Sequence, residues 1–186
     1  MAYSLIKSDY NRYKSTGSRG GIKVWLFNFG FICTCIYRIN NYLYYKFQNT
    51  YLRKIINVFA FLGLKFSQLL YGITIPQSTK IGEGLFISHN GPIIINGSAI
   101  IGKNCNIGPM VVIGWGKANG EFGVPDIGER VFIAPGAVIF GPVKIGNDVA
   151  IGANAVINFD VPDGSVVIGN PGKIVSTKGS SDYIHY

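Results

Sequence analysis

Isoleucine returns every six residues through most of the second half of this 186-residue chain. It stands at Ile75, Ile81, Ile87 and Ile93, slips by two, and resumes at Ile95, Ile101, Ile107 and Ile113. After a longer break it runs Ile127, Ile133, Ile139, Ile145, Ile151 and Ile157. Glycine follows directly at Gly82, Gly102, Gly108, Gly114, Gly128, Gly146 and Gly152. A six-residue unit is one short strand and one tight turn, so three units close a triangular coil. The isoleucines point inward and stack on those of neighbouring coils. The next position must be small because the chain turns there. A column of β-branched side chains suits packed strands and leaves no room for polar groups. Function must therefore sit on the outside or in the turns.

The two breaks in register single out candidates. One is the slip at residues 93–95, directly after the stretch "GLFISHNGPIII" and its histidine, His89. A lone histidine is usually a surface or satisfied polar residue. Placed beside an interruption of a rigid solenoid, it becomes a candidate for chemistry. The other break is Trp115–Asp126, "WGKANGEFGVPD", which predicts a loop protruding between coils.

Residues 1–72 are of another kind. They hold ten Lys and Arg against Asp9 alone, a net +9, whereas residues 73–186 carry seven basic and eight acidic residues. Long apolar and aromatic runs predict two helices, Lys23–Phe47 and Tyr51–Tyr71, with a turn near Gln48–Thr50. The uncharged runs Val24–Tyr37 and Ile55–Leu64 are shorter than the ~18–20 residues a spanning helix needs. The wide apolar faces are expected to pack on the solenoid or on a sister subunit, or to touch a membrane surface through the flanking basic side chains. No nucleic-acid recognition motif is present, so a nucleic-acid partner is not expected. Three cysteines, Cys33, Cys35 and Cys105, with no secretory signal, point to a reducing, cytoplasmic setting, and their spacing matches no zinc site. The domain reading is an α-helical region over 1–72, a parallel β-solenoid over 73–175 with the loop 115–126, and a tail over 176–186.

The segments "IGEGLFISHNGPIIINGSAIIGKNCNIGPMVVIGWGK", "PDIGERVFIAPGAVIFGPVKIGNDVAIGANAVINFDVP" and "VVIGNPGKIV" resemble the hexapeptide-repeat acyltransferases, in particular their serine acetyltransferase branch. The resemblance implies a left-handed parallel β-helix, mainly β, after a small helical region. It implies acetyl-CoA as co-substrate, no metal, and a homotrimer or dimer of trimers with sites in the grooves between subunits. The family's "GxGxxxxH" segment is Gly82 to His89, which implies His89 as the general base that takes a proton from the attacking hydroxyl. Matching positions imply coenzyme contacts at Gly114, Trp115, Ala134, Gly152, Ala153, Asn170, Pro171 and Lys173, with Lys173 as a phosphate partner. Ser88, Asn90, Trp115 and Thr74 are the candidate acceptor contacts.

The chain also departs from that branch. Where serine acetyltransferases carry aspartates upstream of the histidine and directly before it, this sequence has Thr74 and Ser88. Where they carry an Arg–His pair that grips the amino acid carboxylate, it has Gly123 and Val124. The combination resembles the serine acetyltransferase-like enzymes that O-acetylate cell-surface or capsular polysaccharides. The expected acceptor is therefore a glycan hydroxyl or its lipid-linked precursor, at the inner face of the membrane. Serine, another small hydroxyl compound or an amino sugar is the alternative acceptor.

Overall fold

The computed structural model describes residues 2–15, 24, 28–47 and 51–184. Among the described residues, three helices precede the strands: α1 (Ala2–Ser15), α2 (Phe29–Lys46) and α3 (Leu52–Tyr71). The expected turn near 48–50 lies outside the described residues, as does His185. α1 has no counterpart in the reading of the sequence. α2 starts where the Asn28 side chain accepts the Phe31 N–H at 3.1 Å, satisfying one of the first-turn donors. α3 ends at Gly72, whose left-handed backbone (φ 70°) returns an N–H to the Gln68 carbonyl and turns the chain into the first strand.

From Ile73 the chain winds as a left-handed parallel β-helix with three faces. The first face stacks β1 (Ile73–Thr74), β4 (Ile93–Ile95), β7 (Val112–Gly114), β12 (Val138–Phe140) and β15 (Val156–Ile157). The second stacks β2 (Lys80–Ile81), β5 (Ile100–Ile101), β10 (Asp126–Ile127) and β13 (Lys144–Ile145). The third stacks β3 (Phe86–Ile87), β6 (Asn106–Ile107), β11 (Phe132–Ile133), β14 (Ala150–Ile151) and β16 (Val166–Ile168), closed by the antiparallel β17 (Lys173–Ser176). All fourteen repeat isoleucines are buried, none more than 8% exposed, and like residues pair in register: Ile81 with Ile101, Ile107 with Ile133, Ile139 with Ile157. Gly102 shows why the next position stays small. A β-carbon there would stand 2.4 Å from the Gly128 carbonyl oxygen of the coil above.

The helices close the open end of this tube. Arg38 of α2, 1% exposed, makes a two-pronged pair with Asp9 of α1 (2.8 and 3.0 Å) and donates to the carbonyls of Ile81 (2.7 Å) and Gly82 (2.6 Å). Asp9 in turn accepts the Leu85 N–H at 2.8 Å. Burial pushes the Asp9 carboxyl up, against the hydrogen bond and charge of Arg38 that pull it down. Tyr13 accepts the Ile87 N–H at 2.9 Å and donates to the Ile87 carbonyl at 3.2 Å. Tyr37 donates to the Thr79 carbonyl at 2.8 Å. The first coil has no strand before it, so its outward backbone groups would be stranded under the helices. These side chains supply the partners a strand would have given.

Candidate active site

Three corners join the three faces, and the candidate residues divide between two of them. The corner between the third and first faces has one residue of each coil in a vertical ladder. Ser88 N–H reaches the Ile107 carbonyl, Gly108 the Ile133 carbonyl, Ala134 the Ile151 carbonyl and Gly152 the Val167 carbonyl, all at 2.8–3.2 Å. His89, one residue past Ser88, stands at the N-terminal end of this column. Ala134, Gly152 and Ala153 lie along it. Asn170 and Pro171 sit in the turn where the fifth coil passes the same corner, and Lys173 opens β17 beside them. Strands stack about 4.8 Å apart, so the column from His89 to Asn170 runs about 19 Å.

The slip in the repeat occurs in the His89 turn. From Ile87 to Ile95 the chain takes eight residues where Ile107 to Ile113 takes six, although Ile95 and Ile113 are direct partners. The two extra residues push the turn Ser88–Pro92 outward. His89 and Asn90 are exposed and Ser88 is half-buried, while Ile87, Ile93 and Ile95 on either side remain in the core. Gly91 lets the enlarged turn fold back, for a β-carbon there would lie 2.7 Å from Pro109 of the next coil. The turn's base is held by Tyr13 on Ile87 and by Arg12, whose guanidinium donates to Asn106 Oδ1 at 2.6 Å and, more weakly, to the Gly84 carbonyl at 3.4 Å. The sequence reading missed these positioning residues. Its one pointer to them was Asp9, the single acid in 72 residues, whose burial requires a cation.

Gly114 and Trp115 belong to the other corner, between the first and second faces. The segment 115–126 is not an irregular loop. It contains an antiparallel hairpin of β8 (Gly116–Ala118) and β9 (Glu121–Gly123) inserted into the third coil. Trp115, 61% exposed, stacks on Phe122 at 4.8 Å, and Lys117 Nζ lies 5.7 Å from the same ring. Gly123 pairs with Gly116, and Val124 follows it, half-buried. Thr74 is half-buried on the first face beside Ile94. One chain therefore brings His89, Ser88 and Asn90 together and aligns Ala134, Gly152, Ala153 and Asn170 with them. It places Gly114, Trp115 and the hairpin one corner away.

Residues 125–158 match the family described as bacterial transferase hexapeptide (six repeats). The chain is 31% identical over 167 residues to a serine acetyltransferase of Synechococcus elongatus, covering 89% of this chain and 65% of that one. It is 43% identical over 114 residues to a serine acetyltransferase of Staphylococcus aureus, covering 61% of this chain and 53% of that one. The chain thus spans less than two thirds of the length of these relatives. Among solved structures, Neisseria gonorrhoeae serine acetyltransferase in complex with serine superposes with a TM-score of 0.80 at 26% identity, over 94% of this chain and 69% of that one. The soybean serine acetyltransferase apoenzyme does so with a TM-score of 0.80 at 25% identity and the same coverage.

These relatives correct the expected acceptor. The sequence reading favoured a capsular or cell-surface polysaccharide, or its lipid-linked precursor, because Gly123 and Val124 replace a carboxylate grip. The similar proteins are serine acetyltransferases instead. The physical reason for the misreading lies in the hairpin. Two substituted positions read as an empty site, although the hairpin that carries Gly123 also carries an exposed cation, Lys117.

Proposed function

We propose that this protein is a hexapeptide-repeat acyltransferase, an acetyl-CoA-dependent O-acetyltransferase acting on the hydroxyl of serine, with His89 as general base. The observation that carries the reading is the column of one corner. An exposed imidazole on an extruded turn heads the corner ladder of Gly108, Ala134 and Gly152, with Ala153 exposed beside it, that ends at Asn170 and Lys173. An extended thioester lying along that ladder would put its acyl end at His89 and its phosphates near the Lys173 ammonium.

The chemistry then needs little more. Neutral His89 accepts the proton of the serine hydroxyl as the oxygen attacks the thioester carbonyl. The tetrahedral intermediate collapses, the C–S bond breaks, and the imidazolium returns the proton to the departing coenzyme thiolate. The products are O-acetylserine and coenzyme A, with every proton accounted for. Because a thioester is already activated, holding the two reactants in line does most of the work.

The site is shared between subunits of a homotrimer in this reading. His89 lies on one corner, while Gly114, Trp115 and the hairpin lie on the next, so a threefold arrangement that sets one corner against the neighbour's other corner completes it. The hairpin then offers Lys117 to the serine carboxylate, in place of the Arg–His pair that the resemblance would have at Gly123 and Val124. Ser88, Asn90 and Trp115 border the acceptor, and Thr74 is farther along the first face. Acetyl-CoA as donor places the reaction in the cytoplasm, in keeping with the free thiols of Cys33, Cys35 and Cys105.

Release of coenzyme thiol from acetyl-CoA on addition of L-serine tests the reading. His89→Ala is expected to abolish release while leaving the assembly intact. Lys117→Ala is expected to raise KM for serine and leave KM for acetyl-CoA unchanged. No release of thiol with L-serine refutes the assignment.

A further inference from the structure

The outer face of α3 carries a run of exposed apolar side chains. Its inner stripe, Ala60, Gly63, Leu64 and Ser67, is turned to α2. A β-carbon on Gly63 would stand 3.0–3.1 Å from Asn40 and Ile36, and Asn40 donates to the Ala60 carbonyl at 3.3 Å. The sector next to it carries Ile55, Phe59, Leu62, Phe66, Leu69 and Leu70, each 48–87% exposed. At about 100° per residue these six fall within roughly 80–100° of arc, with Lys54 and Lys65 on one flank. Lys54 and Lys65 lie 5.7 and 5.5 Å from the rings of Tyr51 and Phe61.

We propose that this face of α3 docks the protein on a bilayer that contains anionic lipid. Charge selects the occupant. Residues 10–82 contain no acidic side chain, and Asp9 is buried in its pair with Arg38. A second copy presenting the same face would bring like charge against like charge. Anionic headgroups would instead meet the lysines while the aliphatic and phenyl side chains enter the acyl boundary. The protruding residues of the sector carry no hydrogen-bonding group, which fits hydrocarbon better than a nucleic-acid backbone. Among the described residues no helix is long and apolar enough to cross a membrane, so α3 lies along the surface, held from behind by α2. The proposal stands independently of the acceptor of the transfer reaction.

The test is flotation of the full chain with vesicles of phosphatidylcholine alone and of phosphatidylcholine with phosphatidylglycerol. The chain is expected to float with the anionic vesicles at low salt and to be released as salt rises. Lys54→Glu with Lys65→Glu, both at exposed positions, should weaken binding at least about tenfold. Phe59→Ser with Leu62→Ser should abolish it without changing the helical circular dichroism. Three results would overturn the proposal: a chain that stays unbound with anionic vesicles at low salt, a lysine double variant that floats like the parent, or a parent of twice the mass of the Phe59→Ser, Leu62→Ser variant by light scattering. The last would show that a second copy covers the face.

Discussion

Tyr13→Phe isolates one oxygen atom that the structure makes responsible for the base of the His89 turn. Tyr13 is fully buried, its ring 5.3 Å from Phe31 and 4.7 Å from Phe86, so the phenylalanine ring keeps the packing. What disappears is the hydroxyl that holds both the N–H and the carbonyl of Ile87, on the edge strand of the third face. A buried backbone group left without its partner costs about 1–3 kcal/mol. Two such groups, partly relaxed by small shifts, give a loss of roughly 2–4 kcal/mol. With a urea slope near 2 kcal/mol/M, the unfolding midpoint should fall by about 1–2 M.

The same variant should carry a kinetic signature that a merely structural role would not produce. His89 is two residues beyond Ile87, so a loosened strand end displaces the imidazole proposed as proton acceptor, while Ala134 to Asn170 lie on later coils. We expect kcat to drop about tenfold, with KM for acetyl-CoA unchanged. A urea midpoint within about 0.2 M of the parent, together with an unchanged kcat, would refute the bracket and the argument that coil one is completed by side chains.

Removing the other clamp should be costlier: Arg38→Ala leaves the Asp9 carboxyl buried without its cation and is expected to lose about 3–5 kcal/mol in denaturant unfolding, whereas Arg38→Met with Asp9→Leu should lose less than the single change. The more exposed pair Arg130–Asp148, bonded at 2.6 and 2.7 Å, holds the Asp148 carboxyl below its usual value of 3.8. Its stabilisation is fully present above pH 3.8 and is lost as pH falls through the lower folded value. Asp148→Asn should therefore cost no more than about 1 kcal/mol at neutral pH and nothing in strong acid, read from unfolding midpoints against pH. Burial pushes the Cys105 thiol up to about 12, so maleimide should label Cys105 only after unfolding; rapid labelling of the folded chain would contradict the packed interior.

The solenoid was legible because the inward position of nearly every six-residue unit is isoleucine. The slip at 93–95 was legible as an interruption, and the structure gives it a physical meaning: two added residues that extrude His89. The clamp was not legible. Asp9, Arg12, Tyr13 and Arg38 reach coil one from sequence separations of 43 to 76 residues, and no periodicity connects a polar side chain to the backbone group it completes. The acceptor was misread for a related reason. Gly123 and Val124 read as two absent ligands in a string, whereas the structure places them at one edge of a hairpin that also carries the exposed Lys117.

The clamp and the extruded turn belong to one arrangement. An edge coil is the one place in a β-helix where backbone groups lack a neighbour on one side. A turn lengthened there has a neighbouring coil on one side only. His89 occupies that coil, so the freedom that lets the turn bulge also leaves its base unsupported. Arg38, Asp9 and Tyr13 restore the support from the helices by gripping residues 81–87. The helical region is therefore tied to the base of the His89 turn through β3.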